Sequence, residues 1–232
     1  MLMKFNKKAR KIINVRRAGM NKEYKDIIDR VRNKFNKNIT EDLLKNITED
    51  LLKNITEDLL KNIIEFSKKK VFQKGELILR MGEPMSKVYF ITKGIARSYY
   101  IDMQGNDVTK SFIKEYDFCM GESLFSNTIS QEGFEALEDI VALEFEAKKL
   151  KEYLLSEKVL TDIYIKKLEE TIIYKMNREN GFQTKSATER YLEFKRSYYE
   201  IENRVNQSCI ASYLGISPVS LSRIRRTIKE EL

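Results

Sequence analysis

The chain has 232 residues, 42% hydrophobic and 34% charged, with a net charge of +8, a composition that fits a folded globular chain and excludes a disordered one. It contains no histidine, which removes Ser-His-Asp and Cys-His nucleophiles, histidine general bases and His-ligated zinc or haem. Its two cysteines, Cys119 and Cys209, supply neither a disulfide framework nor the four thiolates of an ordinary iron–sulfur cluster.

No apolar run approaches the roughly 18 residues of a membrane helix, and the basic N-terminus lacks the apolar stretch of a secretory signal. The expectation is a cytoplasmic protein that is not an enzyme, has no cofactor or metal, and does not engage membranes. The charge is uneven. Residues 1–37 hold 13 Lys/Arg against 3 Asp/Glu, and residues 38–232 carry a net −2. Any affinity for nucleic acid must therefore come from local patches in the body of the chain.

Residues 1–37 read as a basic N-terminal arm, partly disordered. Its first 19 residues contain no acid, and a more balanced helical pattern opens at Met20. Two readings stand for 1–19: a nucleic-acid-binding tail, or an upstream extension of a chain that starts at Met20. Residues 38–70 are expected to be a helical segment leading into the next domain. The octapeptide Asn-Ile-Thr-Glu-Asp-Leu-Leu-Lys occurs there three times, at 38–45, 46–53 and 54–61. Apolar residues every fourth position drift by about 40° per step around a helix. That pattern favours expansion of a short coding unit over a coiled-coil seam.

From Val71 to Ala147 short runs at 77–81, 87–92, 95–101 and 107–114 are punctuated by Gly75, Gly82, Gly94 and Gly105. Several are rich in β-branched and aromatic residues, as antiparallel strands of a compact roll are. Residues 148–182 turn helical. Ile165, Leu168, Ile172 and Met176 make one apolar stripe that suits a homodimer coiled coil or packing within the domain. Gly181 is expected to end this helix, 185–197 to form another, and Ile201–Val205 to be short and extended.

Within 183–232, residues 207–226 read as a helix-turn-helix. Ala211 is the small residue where two helices cross, Gly215 makes the turn, and Ile210, Leu214, Ile216, Leu221 and Ile224 form a small core. Ser217 and Pro218 suit an N-cap and a first helical position. Val219, Ser220, Arg223 and Arg226 fall on the face opposite Leu221. Arg223 is the candidate for a bidentate contact to guanine, and Ser217, Ser220, Arg225 and Arg226 are candidates for phosphate. For the two arginines, a solvated helix end is the alternative.

The order of parts resembles the Crp/Fnr family of bacterial transcription regulators over roughly residues 55–232. The resemblance rests on Phe72 to Glu76, Gly82-Glu83, Val88 to Ile91 with Gly94, Gly105, Gly121-Glu122, Glu135 to Asp139, Ala187 to Phe194, and Ile210 to Arg225. It implies an α+β chain: an N-terminal jelly-roll-like β-roll, a long dimerisation helix and a C-terminal helix-turn-helix domain. It also implies a homodimer on double-stranded DNA, reading helices in major grooves about 34 Å apart, and RNA polymerase as a further partner.

The effector pocket implied by the resemblance would include Gly121, Glu122 and Ser123. Cyclic-nucleotide-binding members carry an arginine about ten residues after the Gly-Glu pair to neutralise the phosphate. Here Ser126–Phe134 contains no cation and does contain Glu132. The expectation is that cyclic AMP does not bind and that the effector is another molecule or none. Cys119 is either a redox switch or a small buried hydrophobe. Val219 stands where many relatives have glutamate, so the target sequence cannot be carried over from theirs, and no wing strand is expected after the last helix. The alternative function is a ligand-binding signalling module whose helix-turn-helix contacts protein.

Overall fold

The computed structural model describes residue 62, residues 65–115, 117–121 and 128–230. The basic arm, the octapeptide repeats, and Glu122 and Ser123 of the expected effector pocket lie outside the described residues.

Eight strands come first: β1 (Lys68–Phe72), β2 (Leu77–Leu79), β3 (Lys87–Lys93), β4 (Ala96–Ile101), β5 (Asp107–Ile113), β6 (Phe118–Cys119), β7 (Gly133–Ala136) and β8 (Ile140–Glu146). They form two four-stranded antiparallel sheets, in the orders β1-β8-β3-β6 and β2-β7-β4-β5. Apolar side chains from both sheets, among them Phe72, Tyr89, Ile91, Phe134 and Ile140, make the roll's core. The β3–β4 turn needs its glycine. Gly94 has φ +101°, and a Cβ there would lie 2.6 Å from the Asp139 carbonyl oxygen, a conformation and a space that only glycine accepts.

Five helices follow: α1 (Ala147–Ser156), α2 (Lys158–Thr184), α3 (Ala187–Ser197), α4 (Gln207–Leu214) and α5 (Pro218–Glu230). Two expectations are corrected. Gly181 does not end its helix: it lies buried inside α2, which runs on to Thr184. The stop comes from the next helix, where Ser186 and Glu189 form a reciprocal capping box that starts α3 and fixes extended backbone before it. Ile201–Val205 is a series of turns, not an extended segment. Ile201 is fully buried there, so its apolar character serves packing and not strand pairing. The helical run after the roll is also divided, because Glu157 takes an extended conformation between α1 and α2.

A second core forms where the helices meet the roll. It gathers Ile95, Phe112 and Leu137 of the roll with Tyr191, Phe194, Ile210, Leu214 and Leu221 of the helices. Parting the two would expose all three roll residues, at about 1.5–3 kcal/mol for each side chain returned to water.

Candidate nucleic-acid interface

Helix α4 is short and mostly buried, with Cys209, Ile210, Ala211, Tyr213 and Leu214 all inward. It ends at Gly215, whose φ of +69° is left-handed and whose N–H returns to the carbonyls of Ala211 and Ser212. A Cβ on Gly215 would lie 2.9 Å from Phe182 Cε1 of α2. The open carbonyl of Leu214 is taken by the Arg190 guanidinium, at 3.1 Å and 3.2 Å. Ser217 Oγ then accepts the N–H of Ser220 at 3.1 Å, an N-cap that satisfies an otherwise orphaned donor of α5.

Helix α5 sorts its faces. Leu221 is fully buried, and Ile224 and Ile228 pack against the second core. Val219 is 60% exposed, Ser217, Arg223 and Arg226 are exposed, and Ser220 is half-buried. Arg226 makes a loose i,i+4 contact with Glu230, at 3.9 Å.

Arg225 does not stand with them. Its Nη2 donates to Glu202 Oε1 at 2.8 Å and its Nε to the Tyr191 hydroxyl at 3.1 Å, while the Tyr191 hydroxyl also donates to Glu202. In the sequence it stands, with Ser217, Ser220 and Arg226, as a candidate for phosphate. The turn carrying Glu202 draws it inward, and its Nε and Nη2 donate to protein.

The α2 stripe is outward. Ile165, Ile172 and Met176 are 48%, 57% and 63% exposed, Ile173 lies beside them, and Leu168 is half-buried. The other side of α2 holds α4. Arg178 Nη2 donates to the Tyr213 carbonyl at 2.9 Å and its guanidinium lies 3.9 Å from the Tyr213 ring centroid. The Tyr174 and Tyr213 hydroxyls bond at 2.9 Å, and Tyr198 donates to Tyr174 at 3.3 Å.

Reading the sequence missed the residues that join α4 to the roll. Ser212 Oγ accepts the Thr109 N–H at 2.9 Å and donates to the Asp107 carbonyl at 3.3 Å. Arg204 bridges to Glu115 and Glu138. No local signal announces such pairs, because their members lie tens of positions apart.

Inside the roll, Gly121 is buried against Met85, Phe134 and Glu132. Glu132 is 2% exposed and pairs with Lys110 Nζ at 2.8 Å. Cys119 is fully buried, and burial, together with the Glu132 charge, pushes its thiol up. That corrects the redox-switch alternative, which needs a depressed thiol. Among the described residues no cluster of ligating side chains suits a metal, and no helix is long and apolar enough to cross a membrane.

Residues 69–157 match the sequence model of the cyclic nucleotide-binding domain. No curated protein matches the chain in sequence. Solved structures similar in fold include the c-di-GMP-responsive global regulator CLP of Xanthomonas campestris, at TM-score 0.62 and 11% identity over 76% of this chain and 93% of that one. FixK2 of Bradyrhizobium japonicum aligns at 0.62 and 20% identity over 71% and 85%. A CooA variant of Carboxydothermus hydrogenoformans aligns at 0.62 and 16% identity over 78% and 83%. Antiparallel sheets followed by helices, as in Crp/Fnr-type structures, are thus the fold of this chain.

Proposed function

We propose that the protein is a sequence-specific DNA-binding transcription regulator that acts as a homodimer on a near-palindromic site. The observation that carries this reading is the outward face of α5. Val219, Arg223 and Arg226 project from a capped helix whose other face is locked into the second core. A helix so held can enter a major groove without rearranging its support. The fold shared with regulators such as CLP supports the reading, as does the exposed Ile165–Ile172–Met176 stripe, which gives α2 an apolar face for a second copy. RNA polymerase is the further partner this role entails.

In the same reading the roll does not take cyclic AMP. The carboxylate of Glu132 already occupies the buried space beside Gly121 and holds the neighbouring lysine. A phosphate brought there would meet a like charge.

The deciding experiment is a mobility shift across a salt series, using the DNA upstream of the protein's own gene. Retarded complexes that weaken as salt rises, with a two-part footprint, are expected. Absence of any DNA complex from well-folded protein would transfer the case to the signalling module that contacts protein through α4 and α5. Isothermal titration with cyclic AMP is expected to show no heat of binding.

A further inference from the structure

One strand touches both the roll's buried charge and the helices that present the reading face. β5 is the outer strand of its sheet, and among the described residues one side of its backbone has no strand neighbour. Ser212 of α4 fills that place, accepting from the Thr109 N–H and donating to the Asp107 carbonyl. The residue after Thr109 is Lys110. The β4–β5 register passes from Ser98 opposite Ser111 to Tyr99 opposite Thr109, which leaves Lys110 as the extra residue of a β-bulge. A bulge re-aims the side chain it carries. Here Lys110 reaches Glu132, the residue before Gly133, which is itself paired with Tyr99.

The connection is stiff. The guanidinium of Arg97, largely buried, donates to Thr109 Oγ1 at 3.1 Å, binds Asp107, and donates from Nε to Glu135 of β7 at 2.8 Å. The ring of Tyr99 fills the space over Gly133, where a Cβ would come within 2.6 Å of it. Two consecutive residues are therefore tied in opposite directions, Lys110 inward to the roll and Thr109 outward to α4.

We propose that the Glu132–Lys110 pair controls the DNA-reading helices through the Lys110 bulge and the Thr109–Ser212 hydrogen bond. With the pair intact, β5 holds α4, and α4 holds α5 with Arg223 and Arg226 outward. Breaking the pair, by substitution or by a ligand that competes for Lys110, lets the bulge relax and loosens α4. This inference rests on the DNA-reading function proposed above.

The test is a double-mutant cycle on the full chain, read by DNA affinity and by hydrogen exchange. Glu132→Gln and Ser212→Ala are each expected to weaken DNA binding by about five-fold or more, the lower end of usual coupling between sites. The double variant should be no weaker than the weaker single, since both break one connection. If Glu132→Gln leaves Lys110 as an unpaired, half-buried charge and the chain fails to fold, Lys110→Gln with Glu132→Gln removes both charges and serves in its place.

Amides of residues 207–214 should exchange faster in the Glu132 variants, with or without DNA. Unchanged exchange there, or losses of affinity that multiply, would overturn the coupling. Wild-type protein that binds no DNA would overturn the function proposed above, while the exchange measurement would still decide the coupling.

Discussion

Arg225 and Glu202 are joined by a hydrogen bond of 2.8 Å from Nη2 to Oε1, with the Tyr191 hydroxyl bonded to both. Arg225 is thereby an anchor of α5, distinct from Arg226 one residue on. Arg225→Ala should cost stability, about 1.5–3 kcal/mol for losing charged hydrogen bonds, and leave the salt slope of DNA binding nearly unchanged. Arg226→Ala should leave stability alone, weaken binding to all sequences alike, and reduce that slope by about 1. Urea unfolding beside a salt titration separates the two.

Arg223 is the proposed base reader, so Arg223→Ala should lose about 1–3 kcal/mol at one base pair and relax the preference there. Footprinting of a randomised site checks this. An unaltered preference at every position would remove Arg223 from the reading role.

The α2 stripe predicts a change of assembly. Replacing Ile172 and Met176, both more than half exposed, with glutamate should leave the fold intact and place like charges across the dimer seam. Light scattering is expected to show a monomer, and DNA affinity should fall with it. A dimer that persists would place the interface elsewhere.

Gly215 combines a left-handed φ with the close approach of Phe182. Gly215→Ala should destabilise the protein by at least the roughly 1–2 kcal/mol of a left-handed non-glycine residue, with more from displacing the ring. Pairing it with Phe182→Ala should recover part of the loss, as thermal unfolding would register.

Acid should loosen the junction between roll and helices. Burial acts to raise the carboxyl of Glu115, but the Arg204 guanidinium and the Gly94 N–H outweigh it and hold the carboxyl below its ordinary value of 4.5. A carboxyl depressed in the folded state adds stability that is present above the unfolded value and disappears as pH falls through the folded one. The stability gap between wild type and Arg204→Gln should therefore be full near neutrality and shrink below about pH 4.5. A gap that is constant between pH 7 and pH 3 would show that the pair contributes nothing through charge.

What could be read along the chain was whatever is encoded locally. Strands β3 and β4 announce themselves by β-branched and aromatic residues between glycines. By contrast β1 reads Lys-Lys-Lys-Val-Phe and shows its strand character only through pairing with β8. Gly181 misled because a glycine inside a helix looks like its end, and the capping box of α3 overrode it.

The sequence by itself determined the α4–turn–α5 unit and the outward set Val219, Arg223 and Arg226. Glycine conformation, proline and serine capping, and helical spacing all act within a few residues of one another. Only the tertiary structure decided that Arg225 is an anchor, that Lys110 turns inward to Glu132, and that Ser212 clasps an edge strand 103 positions away. Those outcomes depend on which distant side chains and which open edge-strand backbone groups are brought together once sheets and helices pack, and no local pattern carries that information.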